Sequence, residues 1–313
     1  MNVRDIRKIT IAGAGTMGYS MADRFASFGY EVTLWNHRQE TLDRARGLIS
    51  AEQRDNIAYT TADSAFTDFD VLVESITEDL DIKLDFYRRL SELAPANAII
   101  CTNTSGLSIN KLAEAVADPA RFLGMHWFNP PTLIPLIEII RNDQTSDEVA
   151  QTIYDLALAV DKKPAIVQKD VPGFAANRLQ LAVLREALKL VKDGVISVED
   201  IDAVMKYGLG FRWAALGPLE TVDFGGLDTF DHIASYLMPD LADGHEIPEL
   251  LDAHYKAGEL GVKTGHGFYE YPGDTAVEKT AERDRKLQAI YDALYSDASE
   301  TPGVSDAFDA PER

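Results

Sequence analysis

The chain has 313 residues, of which 46% are hydrophobic and 26% charged, so it holds enough apolar material for about two packed domains and is not an intrinsically disordered protein. Its formal net charge of −21 gives a surface that repels nucleic acid and anionic membranes, since both partners need cationic neutralisation. It contains no apolar run long enough for a transmembrane helix.

Short β-rich runs alternate with amphipathic helical patterns through the first half of the chain. We predict strands over residues 6–12, 31–35, 71–76, 98–102, 122–127, 133–140 and 165–168. We predict helices over residues 16–28, 39–48, 82–93 and 147–160. This alternation predicts an α/β domain with a largely parallel sheet covered by helices on both faces.

The pattern changes after residues 170–173, beyond which helical spacing replaces strand alternation. One helix is predicted over residues 174–192 and ends before Gly194, where glycine favours a helix stop. Residues 197–200 resemble a capping box, and the helix that follows is expected to end at Gly208. We therefore predict an α/β domain over residues 1–170 and an all-α domain over residues 171–313.

A glycine-rich turn follows the first predicted strand. In the order Gly13-Ala14-Gly15-Thr16-Met17-Gly18, the first glycine permits a tight turn and the second admits a pyrophosphate close to the backbone. The third allows close helix–strand packing, and the helix N-terminus offers free N–H groups to phosphates. This context predicts a Rossmann-type, doubly wound domain with a dinucleotide site at residues 13–18.

The end of the second strand bears on the choice between NAD and NADP. An acidic residue there usually binds the ribose hydroxyls of NAD, whereas this chain has Asn36 and Arg38. Asn36 can bind a ribose hydroxyl, and Arg38 can pair with the 2′-phosphate of NADP. Alternatively, Arg38 stacks on adenine or is a solvated surface charge. The residues at the strand end therefore leave both NAD and NADP possible.

Three polar residues stand in or directly after apolar strand runs. These are Ser105, His126 and Glu138. A carboxylate in an apolar run is costly unless it is paired, and the turn at Pro130 and Pro131 can bring Glu138 back beside His126. A Glu–His pair fixes the imidazole tautomer and raises its basicity, which suits a general base. Taken singly, each residue can equally be structural or solvent-facing.

These motifs together resemble the L-3-hydroxyacyl-CoA dehydrogenase family. The matching segments are residues 13–18, 73–78, 103–105, 126–130, Glu138, residues 170–178 and residues 263–269. They occur in the family's order and extend over most of the chain.

The resemblance implies a role for each matching residue. His126 is implied as the general base, supported by Glu138, while Ser105 and Asn177 bind the reacting oxygen. Residues implied to line the cofactor and the active-site cleft are Glu78, Lys83, Asn103, Ser105 and Asn129. The family also implies NAD as the cofactor, with NADP possible, and a homodimer formed through the helical domain.

The single cysteine, Cys101, excludes an internal disulfide and a cysteine-cluster metal site and favours a reducing, cytoplasmic location. No metal is expected.

Two departures from the family bear on the substrate. The segment between Arg38 and Val71 is shorter than the helical hairpin whose lysines help hold CoA in hydroxyacyl-CoA enzymes. Residues 208–218 look more like relatives that act on small free acids, such as gulonate, carnitine or a pyridine carboxylate. Arg212, in that segment, is a candidate for binding a substrate carboxylate or for a salt bridge within the helical domain.

We therefore expect an NAD(P)-dependent oxidoreductase that transfers a hydride at C3 of an L-3-hydroxyacyl-CoA, such as 3-hydroxybutyryl-CoA, or of a related 3-hydroxy acid. The alternative within this class is a dehydrogenase of a free small hydroxy acid or alcohol. The alternative outside it is a dinucleotide-binding sensor or structural protein without turnover. Neither nucleic acid nor a membrane is an expected partner.

Overall fold

The structure is a computed structural model that describes residues 3–295. The chain divides into two compact units, Met1–Ala182 and Val183–Arg313. Residues 296–313 of the predicted helical domain lie outside the described residues.

The first unit contains an eight-stranded sheet. Its strands are β1 (Lys8–Ala12), β2 (Glu31–Trp35), β3 (Ile57–Thr60), β4 (Val71–Glu74), β5 (Ile99–Thr102), β6 (Phe122–Trp127), β7 (Leu136–Arg141) and β8 (Lys163–Val167). They are ordered β3-β2-β1-β4-β5-β6-β7-β8 across the sheet. The strands from β3 to β6 are mutually parallel, whereas β7 is antiparallel to β6 and parallel to β8. The predicted, largely parallel sheet is thus confirmed.

The edge strand β3 was not among the sequence predictions. It has four residues, and only Ile57 among them is buried. Because β3 pairs with β2 alone, its sequence carries neither the continuous apolar run of a central strand nor a clear alternation. Its position is set by the pairing and not by a local pattern.

Helices cover both faces of the sheet. In chain order they are α1 (Thr16–Ser27), α2 (Gln39–Leu48), α3 (Leu80–Leu93), α4 (Ile109–Ala113) and α5 (Asp147–Ala159). The next helix, α6 (Ala176–Lys192), begins in the first unit and ends in the second. Successive strand side chains point to opposite faces. Accordingly, Ile11 belongs to a core with residues of α1, α2 and α5, while its neighbour Ala12 belongs to a second core with residues of α3 and α4. The short helix α4 was not predicted.

The one cysteine of the chain, Cys101, lies on β5 and is fully buried. Burial raises the pKa of its thiol far above the usual range. Cys101 therefore serves as a packing residue of the core.

The second unit, over its described residues, is built from helices. They are α7 (Val198–Val204), α8 (Gly210–Ala215), α9 (Pro218–Gly225), α10 (Leu227–Leu237), α11 (Glu249–Lys256) and α12 (Thr275–Leu294). None of the helices within residues 3–295 combines the length and apolarity needed to cross a bilayer.

The predicted helix end at Gly208 is wrong. A wide π turn, Met205–Leu209, follows α7 and leads directly into α8. In this turn the N–H of Gly210 donates to the carbonyl of Met205, and a Cβ on Gly210 would lie 2.6 Å from that oxygen. Glycine is therefore required at position 210 for a close approach inside a helix, whereas a Cβ on Gly208 would meet no atom within 4 Å.

Candidate active site

The glycine turn lies between β1 and α1, as predicted. Gly13 has φ +112°, and a Cβ there would lie 2.3 Å from the carbonyl oxygen of Ser75, at the end of the neighbouring strand β4. A Cβ on Gly18 would lie 1.8 Å from the carbonyl oxygen of Gly13. Both glycines are therefore required by the protein's own packing.

Gly15 is a different case. It has an ordinary φ of −71° as the N-cap of α1, and a Cβ there would meet no protein atom within 4 Å. The fold itself does not require glycine at this position, which faces open space at a helix N-terminus without a side-chain cap. The residues present thus fit a bound pyrophosphate, since a side chain at Gly15 would occupy the space in which the phosphates would lie. Thr16 is exposed beside Gly15, and Met17 is half-buried.

Asn36, at the end of β2, is buried and bonded within the protein. Its Oδ1 accepts from the N–H of Ala14 at 3.4 Å, and its Nδ2 donates to the carbonyl of Arg38 at 3.2 Å. Asn36 thus ties the strand end to the glycine turn. The guanidinium of Arg38 is exposed and lines a cavity of about 580 Å³ together with Trp35 and Arg89.

A buried ion pair lies at the end of β4. The carboxylate of Glu74 accepts from Lys83 Nζ at 2.5 Å, Tyr87 Oη at 2.6 Å and Thr102 Oγ1 at 2.8 Å. Both Glu74 and Lys83 are fully buried. The sequence analysis includes Glu74 in a matching segment but assigns it no role, although a carboxylate ending the apolar run of β4 is the same signal that singled out Glu138.

Glu78 connects this pair to the segment after β5. One carboxylate oxygen of Glu78 lies 3.4 Å from Lys83 Nζ. The other accepts from Thr104 Oγ1 at 2.5 Å and from the N–H of Ser105 at 2.9 Å. Asn177 then donates from Nδ2 to the carbonyl of Ser105 at 2.9 Å. The structure therefore brings Glu78, Lys83, Ser105 and Asn177 together.

The two remaining asparagines flank β6. Asn103 accepts at Oδ1 from the N–H of Trp127 at 2.8 Å and donates from Nδ2 to Ser75 Oγ at 3.3 Å. Asn103 thereby links the ends of three neighbouring strands. Asn129 lies two residues after the end of β6 and is exposed.

His126 and Glu138 face each other across β6 and β7. They are direct register partners, and 3.0 Å separate His126 Nδ1 from Glu138 Oε2. Their side chains are 4% and 2% exposed, so the pair lies in a nearly dry environment. The predicted return of Glu138 beside His126 is therefore confirmed by the antiparallel pairing of β6 and β7.

The second oxygen of the Glu138 carboxylate is held by backbone. Oε1 accepts from the N–H groups of Ala175 at 3.0 Å and Ala176 at 2.9 Å, at the start of α6. Burial alone would raise the pKa of Glu138, but the hydrogen bonds from His126, Ala176 and Ala175 outweigh it and lower the pKa. Glu138 is thus held as a carboxylate facing the imidazole.

The turn that aims these N–H groups is unusual. Gly173 has φ +77°, and Phe174 also adopts a positive φ of 52°, which costs a non-glycine residue about 1–3 kcal/mol. The ring of Phe174 is buried 5.7 Å from the His126 ring. Phe174 therefore packs on the imidazole while its backbone leads into the helix start that binds Glu138.

Arg212 lies on α8 in the second unit. Its side chain is exposed and has no salt bridge to any residue between 3 and 295. Of the two alternatives for this residue, the salt bridge within the helical domain is thus absent from the described part of the chain.

A Rossmann-type sheet that carries a glycine turn and a buried His–Glu pair is the architecture of a nicotinamide-dependent dehydrogenase. The comparison with known proteins gives the family. The chain belongs to the 3-hydroxyacyl-CoA dehydrogenase family, since residues 8–171 match its NAD binding domain and residues 173–271 match its C-terminal domain. The resemblance, the enzyme class and the NAD cofactor are thereby confirmed.

Similar proteins within the family differ in substrate. The chain is 36% identical over 300 residues to the 5-formyl-3-hydroxy-2-methylpyridine 4-carboxylate 5-dehydrogenase of Mesorhizobium japonicum, covering 91% of this chain and 97% of that protein. It is 37% identical over 281 residues to a probable 3-hydroxybutyryl-CoA dehydrogenase of Deinococcus radiodurans, covering 84% of this chain and 100% of that protein. A crystal structure of the first kind of enzyme, described as an NAD+-dependent dismutase, has a TM-score of 0.88 at 35% identity, covering 92% of this chain and 98% of that one.

Proposed function

We propose that the enzyme oxidises the hydroxyl group of an L-3-hydroxy acid or of its CoA thioester, and reduces the corresponding ketone in reverse, with His126 as the general base. The observation that carries this proposal is the buried pair of His126 Nδ1 and Glu138 Oε2, 3.0 Å apart. When bound, NAD supplies the hydride acceptor.

The hydrogen bond between His126 and Glu138 occupies one imidazole nitrogen and leaves the other available for proton transfer. Because Nδ1 donates to the Glu138 carboxylate, the neutral ring has its lone pair on Nε2. Nε2 makes no hydrogen bond to the described residues, so it is the nitrogen that takes the substrate's hydroxyl proton. Glu138 stays ionised and stabilises the imidazolium that results.

Ser105 and Asn177 are proposed to bind the reacting oxygen. The Ser105 side chain is exposed, while its backbone is fixed on both sides by Glu78 and Asn177. A hydroxyl on such a fixed backbone is a pre-organised donor, and donors of this kind stabilise charge that develops on a substrate oxygen. Glu78 and Lys83 act in this arrangement by supporting Ser105.

The dinucleotide would be held by the glycine turn and the ends of β2 and β4. The pyrophosphate would be accommodated by Gly13, Gly15, Thr16, Met17 and Gly18, and the adenosine half would be held by Asn36 and Arg38. Residues proposed to line the nicotinamide half are Glu78, Asn103, Ser105 and Asn129. Lys83, expected from the resemblance to line the cleft, is fully buried beside Glu74 and so supports Glu78 from behind instead. Arg38 supports tolerance of NADP, because its exposed guanidinium is available to a 2′-phosphate.

Two substrate classes fit the proposal. A CoA thioester is supported by the family and by relatives named for 3-hydroxybutyryl-CoA. A free small acid is supported by the short segment between Arg38 and Val71 and by Arg212, whose guanidinium has no acidic partner among residues 3–295. The relative named for a pyridine carboxylate supports the same reading.

Assembly, location and domain roles complete the proposal. We propose a cytoplasmic homodimer formed through the helical domain, with residues 1–170 binding the dinucleotide and residues 171–313 completing the substrate site. Large apolar side chains on the second unit support the dimer, since Tyr207, Phe211 and Leu219 are 81%, 77% and 81% exposed. The net charge of −21 argues against nucleic acid as a partner.

A substrate panel tests the proposed function. NADH and NADPH absorbance are followed with 3-hydroxybutyryl-CoA, carnitine, gulonate and pyridine carboxylates as substrates. Turnover with one class supports it, whereas coenzyme binding without turnover on any member favours a non-enzymatic dinucleotide-binding protein.

A further inference from the structure

A buried lysine lies behind the connection between β6 and β7. Lys162 precedes β8 and is 1% exposed. Its Nζ donates to two carbonyl oxygens of that connection, to Pro131 at 2.6 Å and to Ile134 at 2.8 Å. The ammonium also lies 5.3 Å from the centre of the Trp127 ring, at the end of β6. Lys162 thus contacts the connection at two points and the last residue of the strand before it at a third.

The connection has few donors of its own. Three of its residues, Pro130, Pro131 and Pro135, have no backbone N–H. Its internal bonds run from Leu133 and Ile134 to the carbonyl of Pro130. A buried carbonyl without a donor is costly, so an external donor stabilises this proline-rich segment.

Lys162 is itself firmly placed. Its backbone N–H donates to the carbonyl of Ala157 at 3.0 Å. Arg24, on the helix that follows the glycine turn, donates to the carbonyls of Val160 at 2.8 Å and Asp161 at 3.2 Å. Asp161 has a positive φ of 54°, which turns the chain from α5 toward β8. The lysine therefore extends from a segment that is fixed against α1.

The connection begins and ends close to the His–Glu pair. His126 is the penultimate residue of β6, and Glu138 is the third residue of β7. Phe128, the first residue of the connection, packs on the imidazole with 4.4 Å between ring centroids. A shift of the connection would therefore move a direct neighbour of the imidazole and the strand that carries its carboxylate partner.

We propose that Lys162 is a positioning residue, which fixes the β6–β7 connection and so holds His126 and Glu138 at the distance and orientation that proton transfer requires. Burial, with a smaller effect of Arg24, lowers the pKa of Lys162 to about 7. The neutral amine still has two N–H groups, enough for the carbonyls of Pro131 and Ile134. The expected loss of kcat rests on the proposed function of His126, whereas the expected effect on the geometry of the His126–Glu138 pair does not.

The experiment compares Lys162→Met with Lys163→Met. Methionine keeps the length and apolar stem of the side chain and removes the donors, while Lys163 is the adjacent, exposed lysine on β8. The chain has six histidines, so selective 15N-histidine labelling gives a sparse imidazole spectrum. His126→Gln identifies the His126 signal, and its Nδ1–H resonance reports the bond to Glu138.

We expect Lys162→Met to shift or broaden the His126 Nδ1–H signal and to lower kcat at least tenfold. The Kd for NADH should stay within twofold, because the glycine turn is unchanged, and the solvent deuterium isotope effect on kcat should rise. Lys163→Met should leave all four quantities unchanged. If Lys162→Met does not fold, the same measurements apply to Lys162→Gln, which keeps an amide donor and should give a smaller effect in the same direction.

The outcomes separate this inference from the proposed function. An unmoved His126 signal with wild-type kcat in a folded Lys162 variant overturns the positioning role. A moved His126 signal in a protein that turns over no member of the substrate panel supports the positioning role and overturns the proposed function instead.

Discussion

His126 on β6 and Glu138 on β7 are direct partners in an antiparallel pair, with 3.0 Å between Nδ1 and Oε2. Every other pairing of neighbouring strands in the sheet is parallel. The reversal at β7 is what places two side chains, twelve residues apart in the chain, opposite each other. The proposed base and the carboxylate beside it are thus held by sheet register, which a one-residue slip would destroy.

Replacing the proposed base, His126, should abolish most of the turnover. We expect His126→Gln to lower kcat by about 10²–10⁴-fold, the usual contribution of general acid–base catalysis, with little change in the Kd for NADH. Glu138→Gln should lower kcat less, since the imidazole remains. The measurement is NADH absorbance under saturating substrate. His245→Gln, an exposed histidine, is the matched control. Near wild-type turnover in His126→Gln would remove this residue from the mechanism.

Coenzyme choice should depend on Arg38. If its guanidinium binds a 2′-phosphate, Arg38→Ala should weaken the binding of NADP by about 1.5–3 kcal/mol, the range for a hydrogen bond to a charged group. The binding of NAD should change far less. Arg44→Ala, an exposed arginine on α2, serves as the control. Dissociation constants from coenzyme fluorescence decide the matter. Equal losses for NAD and NADP would show that Arg38 does not distinguish them.

The CoA part of a thioester substrate should contribute little to kcat/KM. Among the residues between Arg38 and Val71 the cations Arg46 and Arg54 bond to the protein itself, which leaves few for the phosphates of CoA. We expect acetoacetyl-CoA and an acetoacetyl thioester of pantetheine to have kcat/KM values within tenfold, or about 1.4 kcal/mol. A thousandfold loss on trimming CoA would reject the free-acid alternative.

The same assay tests Arg212. If this residue binds a substrate carboxylate, Arg212→Ala should raise KM for a free hydroxy acid at least tenfold and leave KM for the thioester unchanged. Equal effects on both substrates would return Arg212 to a structural role.

Stability should depend on pH through Lys162. The pKa of Lys162 is about 7 in the folded protein, below the usual lysine value of about 10.4 in the unfolded chain. Between these values the unfolded chain binds more protons, so the free energy of unfolding contributed by Lys162 rises with pH, by up to about 1.4 kcal/mol per pH unit. Urea unfolding of the wild type and Lys162→Met at pH 6.5, 8 and 9.5 measures it. The free energy of unfolding of the wild type should increase relative to that of Lys162→Met as the pH rises. A difference that stays constant with pH would contradict the lowered pKa of Lys162.

Local sequence patterns were sufficient to predict the strand before the glycine turn and the helix after it. They were also sufficient to predict the return of Glu138 beside His126. In both places the turn is determined by residues within it. Gly13 determines the turn after β1, and the prolines after Asn129 determine the turn between β6 and β7. The environment of Lys162 was not predictable in this way. A lysine before an edge-like strand looks solvent-exposed, and its burial depends on carbonyl groups contributed by a segment about 30 residues earlier in the chain.

Glu74 and Gly208 show the opposite limits. Glu74, a carboxylate at the end of an apolar strand, carries a readable signal, but its partners Lys83, Tyr87 and Thr102 lie up to 28 residues away in the chain and are brought to it only by the fold. Gly208 carried a misleading one, since glycine is typical both of helix ends and of wide turns within helices. The distinction depends on the hydrogen bond from Gly210 to Met205, which only the folded backbone reveals.

The burial of Cys101 has a practical consequence for spectroscopy. With its thiol inside the core and no other cysteine in the sequence, the native protein offers maleimide dyes and nitroxide labels almost nothing to react with. Any pair of cysteines introduced on the surface would therefore be labelled selectively without first deleting a native one. One label on the sheet-bearing unit and one on the helical unit would allow single-molecule energy transfer or pulsed electron resonance to follow their separation as coenzyme and substrate are added.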